Sequence, residues 1–137
     1  MHNNNVYTIQ EISKMFNLPS SALRYYEDIG LLKNVGRTRN RQRIYNECHV
    51  ARLHAINCFK ETGLPISKML EFFEFEENLS ENIDDIISLI NEHEQNVRQN
   101  ILKMQNNLSH IQHKVRYYAK VKEALASNSK LPCFEEC

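Results

Sequence analysis

The sequence predicts a mostly α fold: an N-terminal winged helix-turn-helix with a small β wing, followed by a long dimerisation helix that forms an antiparallel coiled coil. Three observations carry this expectation. Two short stretches of helical apolar spacing flank a break at Asn17, Leu18 and Pro19, six cationic residues crowd into Lys33 to Arg52, and the segment from Ile83 to Ala126 holds neither Gly nor Pro. The boundaries that follow are a winged helix-turn-helix domain over residues 1–75, a linker over 76–82, the dimerisation helix over 83–126 and a tail over 127–137.

The first helix is expected from Ile9 to Phe16. Thr8 stands three residues before Glu11, the spacing of a capping box, and Ile9, Ile12, Met15 and Phe16 share one helical face. A second apolar set at Ala22, Leu23, Tyr26 and Ile29 resumes the period until Gly30 stops it. Two short helices joined by a three-residue turn form a helix-turn-helix, whose second helix enters the major groove. On that helix Ser20, Ser21, Arg24 and Tyr25 lie off the apolar face and are candidate contacts to phosphates or base edges; a helical hairpin with a solvated face has the same pattern.

The basic segment follows. Lys33 to Arg52 carries Lys33, Arg37, Arg39, Arg41, Arg43 and Arg52 against the single acid Glu47. Alternation places Arg37, Arg39, Arg41 and Arg43 on one side of an extended strand, with Ile44 and Tyr45 as its apolar end. Such a wing lies along the DNA backbone, where counterion release makes binding strong at low salt and weak at high salt. A solvated charged loop is the alternative.

Asn46 then caps a helix running to Thr62, with Val50, Leu53, Ile56 and Phe59 in helical rotation and Gly63 as its left-handed stop. Pro65 opens a shorter helix bearing Ile66, Met69, Leu70, Phe72 and Phe73. The Glu-, Asn- and Ser-rich stretch after it reads as the linker.

Along the last helix, Ile90, Glu94, Val97, Ile101, Met104, Leu108, Ile111, Val115, Tyr118, Lys122 and Leu125 recur in alternating steps of four and three residues, and nine of these eleven are apolar. That is coiled-coil patterning, and a lone helix cannot bury such a stripe against itself, so a homodimer is expected. Glu94 and Lys122 each stand 14 residues from Leu108. An antiparallel pair centred near Leu108 brings Glu94 close to the other chain's Lys122, whereas a parallel pair stacks like charges. Both residues also suit frayed ends of the seam.

Taken in order, the helix-turn-helix closing on R-Y-Y-E-D-I-G-L-L, the basic wing closing on Arg43-Ile44-Tyr45, and the run N-E-C-H-V-A-R-L-H-A-I-N-C-F-K-E-T-G-L-P-I-S-K-M-L-E-F-F resemble the MerR family of bacterial transcription regulators. The likeness covers residues 7–75 closely and the rest by architecture. It implies a homodimer, antiparallel in its long helix, bound to a pseudo-palindromic operator in double-stranded DNA. On meeting an effector such a dimer distorts the promoter so that RNA polymerase can use it. One departure is local: family wings often place Gly after the Asn at the tip, where Asn40 is here followed by Arg41. DNA contacts are expected from Ser20, Ser21, Arg24, Tyr25, Arg37, Arg39, Arg41, Arg43 and Tyr45.

The effector is not legible. Relatives that respond to aldehydes or nitrosative stress carry a reactive cysteine where Cys58 stands, so Cys58 is a candidate thiol sensor, although its apolar neighbours equally suit a buried inert thiol. Cys48, near Arg43 and Arg52, has the more cationic setting. Cys133 and Cys137 form a C-x3-C pair beyond the helix, an incomplete ligand set for a soft metal. No metal or cofactor is expected.

Charge and composition set further bounds. Residues 1–75 hold ten Lys and Arg against seven acids, residues 76–137 seven against ten, so a basic half adjoins an acidic one. No apolar run approaches the roughly 18 residues of a membrane span, and the polar start Met1 to Asn5 is unlike a signal peptide, so a cytoplasmic protein with free thiols is expected. No carboxylate pair, Gly-rich phosphate loop or Ser-His-Asp grouping appears, which argues against an enzyme. The competing expectation is a coiled-coil protein interaction module without specific DNA binding.

Overall fold

A computed structural model describes residues 5–134 of the chain. The elements run β1 (Val6–Thr8), α1 (Ile9–Phe16), α2 (Ser20–Asp28), β2 (Gly36–Arg37), β3 (Arg43–Asn46), α3 (Glu47–Glu61), α4 (Ile66–Glu76) and α5 (Leu79–Ala126). The fold is mostly helical, with an N-terminal helix-turn-helix, a small antiparallel sheet and a long C-terminal helix.

Local chemistry explains the helix ends. The Glu11 amide donates to Thr8 Oγ1 at 3.1 Å and the Thr8 amide to Glu11 Oε1 at 3.0 Å, closing the capping box that starts α1. Asn17 ends that helix in the left-handed region at φ 52°, and Pro19 sets the extended geometry from which α2 begins. Asn46 caps α3 through a second capping box whose reciprocal partner is His49. Gly63 at φ 86° then turns the chain toward Pro65 and α4.

The three strands lie in the order β1-β3-β2, antiparallel throughout, with Tyr7 opposite Tyr45 and Arg37 opposite Arg43. Strand β1 was not foreseen. Alternation was expected to keep Arg37, Arg39, Arg41 and Arg43 on one strand face, but residues 38–42, around the expected tip at Asn40, form the turn of a hairpin: the Thr38 amide donates to the Gln42 carbonyl at 2.8 Å and the Arg41 amide to the Thr38 carbonyl at 2.9 Å. Arg37 and Arg43 therefore face each other across the two strands, while Arg39 and Arg41 sit in the turn.

The core of the N-terminal unit is built on Ile12, Leu23, Leu31, Tyr45, Leu53 and Ile56, all fully buried, with Met69, Phe72 and Phe73 of α4 against them. Arg52 lies over the Phe73 ring, 4.4 Å from its centroid. Ile86, Leu89 and Ile90 of α5 pack on the same core, and this first compact unit reaches His93. Its last lateral tie is between Thr62 and His93, whose Oγ1 and Nε2 atoms are 2.8 Å apart.

Two boundaries differ from those read in the sequence. The linker shrinks from residues 76–82 to Glu77 and Asn78, because Glu76 closes α4 and Leu79 already begins α5. Asn78 explains the early start: its carbonyl accepts from the Glu81 and Asn82 amides, so the polar stretch serves as a helix entry. Ile90, expected on the pairing seam, is partly taken up by the core of its own chain.

In the second unit, from Glu94 onward, the chain leaves α5 through Asn128 at φ 55° and turns back. The Ser129 amide donates to the Ala124 carbonyl at 2.9 Å. Phe134 then stacks on His113, with centroids 4.3 Å apart and planes 12° from parallel, and its carbonyl meets His113 Nε2 at 2.7 Å. Tyr117 packs edge-on against the same ring.

Candidate nucleic-acid interface

Helix α2 separates its two faces cleanly. Leu23 and Tyr26 are buried, whereas Ser21, Arg24 and Tyr25 are exposed and Ser20 is half-buried. Tyr25 keeps 48% of its surface in solvent, an unusual exposure for a large aromatic and one that suits stacking or hydroxyl contact with a ligand. In the wing, Arg37, Arg39 and Arg41 are exposed and Arg43 is half-buried.

One acid organises this basic surface, and the sequence reading missed it. Glu27, on the last turn of α2, bonds Arg37 Nη2 through Oε1 at 2.9 Å and Arg43 Nε through Oε2 at 2.6 Å. Desolvation pushes its carboxyl up, but the Arg43 hydrogen bond, together with the charges of Arg43 and Arg37, outweighs that and holds it below the ordinary glutamate range. The same bond raises Arg43. Glu27 was overlooked because acids were counted only along Lys33 to Arg52; the available signal was an acid on the polar face of the helix facing four arginines.

Arg24 of α2 and Arg41 and Arg43 of the wing converge on a cavity of about 330 Å³. Thr8, Ile9 and Gln10 at the start of α1, with Gln42, complete its lining. Helix and wing are thus brought to one polar, cationic recess, to which Gln10 and Gln42 add amide donors absent from the sequence reading.

Tyr45 corrects that reading. It was expected to touch DNA beside Arg43, yet it is fully buried, because β3 is the middle strand and its ring packs inward, 5.8 Å from that of His49. Among the described residues its hydroxyl has no hydrogen-bond partner, and burial raises its pKa. Tyr45 belongs to the core.

The cysteines fall into separate settings. Cys58 is exposed on α3, which removes the alternative of a buried thiol. Cys48 is also exposed and lines a second cavity, of about 450 Å³, with Lys33, Asn34, Asn46, His49, Arg52 and Glu77. Cys133 is exposed in the tail, whereas Cys137 lies outside the described residues. Among the described residues no group of three or more His, Cys, Asp or Glu side chains is gathered as a metal site. No helix among them is long and apolar enough to cross a membrane.

On α5 the seam residues Ile101, Met104, Leu108, Ile111, Val115 and Tyr118 are all exposed, at 51–69% of their surface. Glu94 makes an ion pair one turn along its own helix with Arg98, at 2.8 Å.

Known proteins share this arrangement. The family model for MerR HTH family regulatory proteins matches residues 7–74. An uncharacterized HTH-type transcriptional regulator of Haemophilus influenzae is 27% identical over 116 residues, covering 85% of this chain and 86% of that protein. The crystal structure of HiNmlR, a MerR family regulator lacking the sensor domain and bound to promoter DNA, superposes with a TM-score of 0.82 at 26% identity, over 91% of this chain and 92% of that one. A MerR family transcriptional regulator of Bacillus thuringiensis is 35% identical with a TM-score of 0.73, over 82% of this chain and 98% of its own. With its helix-turn-helix, wing and long C-terminal helix in the same order as these proteins, the chain belongs to the MerR family of helix-turn-helix transcriptional regulators.

Proposed function

We propose that this regulator binds a pseudo-palindromic promoter operator as a homodimer, and that on meeting an effector it distorts the DNA so that RNA polymerase can use the promoter. The observation that carries the reading is the convergence of Arg24 with Arg41 and Arg43 on one recess, since it joins the groove-reading helix to a phosphate-contacting wing. Ser20, Ser21, Arg24 and Tyr25 serve the groove and its flanking phosphates, and the turn of the wing, with Arg39 and Arg41, serves the backbone. That HiNmlR binds promoter DNA supports the same use of this fold.

Pairing rests on the exposed seam of α5. Its apolar surface at Ile101, Met104, Leu108, Ile111, Val115 and Tyr118 favours association with a second copy, antiparallel about Leu108 so that Glu94 approaches the other copy's Lys122. Val97 and Ile90 extend the seam toward the DNA-binding unit. Two-fold symmetry in the protein requires a symmetric operator. Cys58 is the candidate thiol sensor, and its exposure on α3 is what supports that role.

Selection of bound sites from random duplex DNA tests the proposal. A symmetric consensus is expected, and Arg24→Ala should weaken binding to it by about 1 to 3 kcal/mol with relaxed base preference. Binding without sequence preference and with flat salt dependence would instead favour a coiled-coil interaction module.

A further inference from the structure

We propose that Glu27 is the positioning residue of the wing, holding Arg37 and Arg43 as structural ties and leaving Arg39 and Arg41 to meet DNA phosphates. The inference rests on the DNA-binding reading above and separates the wing arginines that meet DNA from those that hold the wing in place.

The register sets the problem. Arg37 and Arg43 are directly opposed across β2 and β3, and like charges so placed repel. A hairpin with that pair at its base needs a counter-charge between them. Glu27 supplies it with one oxygen for each guanidinium. Because Glu27 sits on α2, the same two bonds fix the wing to the helix that carries Arg24 and Tyr25.

Burial strengthens the tie to Arg43 more than the tie to Arg37, whose side chain keeps 40% of its surface in solvent. The Glu27 and Arg43 side chains keep only 22% and 24% of their surface in solvent, so salt screens their pairing less than it would an exposed pair. A phosphate approaching Arg43 meets a guanidinium whose Nε already holds a carboxylate. Arg24, Arg39 and Arg41 face no such competitor: none has an ion-pair partner within 4.0 Å among the described residues. Arg39 and Arg41 also sit in the turn between β2 and β3, outside the two strand positions that Glu27 ties down.

The test is the dependence of duplex DNA affinity on salt concentration, measured on the full chain with mixed-sequence duplex DNA. Each phosphate contact contributes about 0.9 to the slope of log K against log salt. Arg39→Ala and Arg41→Ala are each expected to reduce the slope by about that amount per protomer, and Arg37→Ala and Arg43→Ala to leave it unchanged. Glu27→Gln should steepen the slope, by up to about 1.8 per protomer, because it frees two arginines for phosphate, and Glu27→Asp should return it toward the wild type. A purely structural glutamate would not steepen the slope. Should Glu27→Gln lose its helical circular dichroism, the comparison of Arg37→Ala with Arg41→Ala still decides. A loss of slope in Arg37→Ala or Arg43→Ala equal to that in Arg41→Ala overturns the assignment, as does an unchanged slope in folded Glu27→Gln. Absence of wild-type binding at every salt concentration would instead overturn the DNA reading itself.

Discussion

Thr62 Oγ1 meets His93 Nε2 at 2.8 Å while also lying 2.7 Å from the Cys58 carbonyl. The hydroxyl owns one proton. With that proton on the carbonyl, the imidazole must be the donor to Thr62, and His93 becomes linked to the C-terminal turn of α3. Thr62→Val removes both bonds at nearly constant volume and should destabilise the N-terminal unit by about 0.5 to 1.5 kcal/mol, with Thr62→Ser restoring it. Urea midpoints of the three proteins check this; equal midpoints would show the contact to be idle.

His49 is 5% exposed and uses both ring nitrogens. Nδ1 accepts from the Asn46 amide at 3.0 Å, so Nε2 carries the proton and donates to the Lys33 carbonyl at 2.8 Å. Replacing it with Ala removes half of a capping box and leaves two backbone groups without partners, a loss of about 2 to 4 kcal/mol. Gln, the usual residue at this position of a capping box, should recover part of it. Thermal unfolding of both variants is the measurement, and an Ala variant as stable as wild type contradicts the account.

Arg41 occupies the left-handed region at φ 62°, a conformation that costs a residue with a side chain about 1 kcal/mol. Arg41→Gly should therefore raise the Tm while weakening DNA binding. A fall in both would mean that the side chain supports the turn itself.

Acid should undo the wing's tie to α2 in a defined direction. The folded carboxyl of Glu27 lies below its ordinary value, so its contribution to stability is complete above the unfolded value of about 4.3 and is lost as pH falls through the folded one. The stability difference between wild type and Glu27→Gln, on the order of 1 kcal/mol at neutral pH, should be flat above pH ~5.5 and vanish in stronger acid. Denaturant titrations across pH would show this; a gap that widened in acid would contradict it.

Pairing of α5 has its own test. Lys122→Glu should weaken self-association by about 0.5 to 1 kcal/mol for each of the two symmetric contacts, and adding Glu94→Lys should restore it. Arg98 already holds Glu94, which keeps the effect small. Sedimentation equilibrium is the readout, and absence of rescue removes the proposed register.

The helices were legible because their signals are local. Thr8 with Glu11, Asn46 and Gly63 each mark a boundary from within a few residues, and α1 ends where the spacing placed its end. Strand β1 was not, since Val6 to Thr8 is a strand only by virtue of pairing with β3, some 40 residues later. Glu27 escaped for the same reason, its two partners lying 10 and 16 residues on. Tyr45 shows the opposite error: its place beside Arg43 suggested a shared role, but the arginine head reaches the surface ion pair while the tyrosine ring enters the core.

The returning tail changes what the long helix can be asked to do. His110, His113 and Tyr117 receive Phe134, and at 100° per residue their centre lies roughly 150° around the helix from that of Leu108, Ile111, Val115 and Tyr118. One helix therefore carries two separate strips, one covered by its own tail and one exposed. The tail is thus folded down without covering the apolar stripe, and the two surfaces do not compete for the same side of the helix.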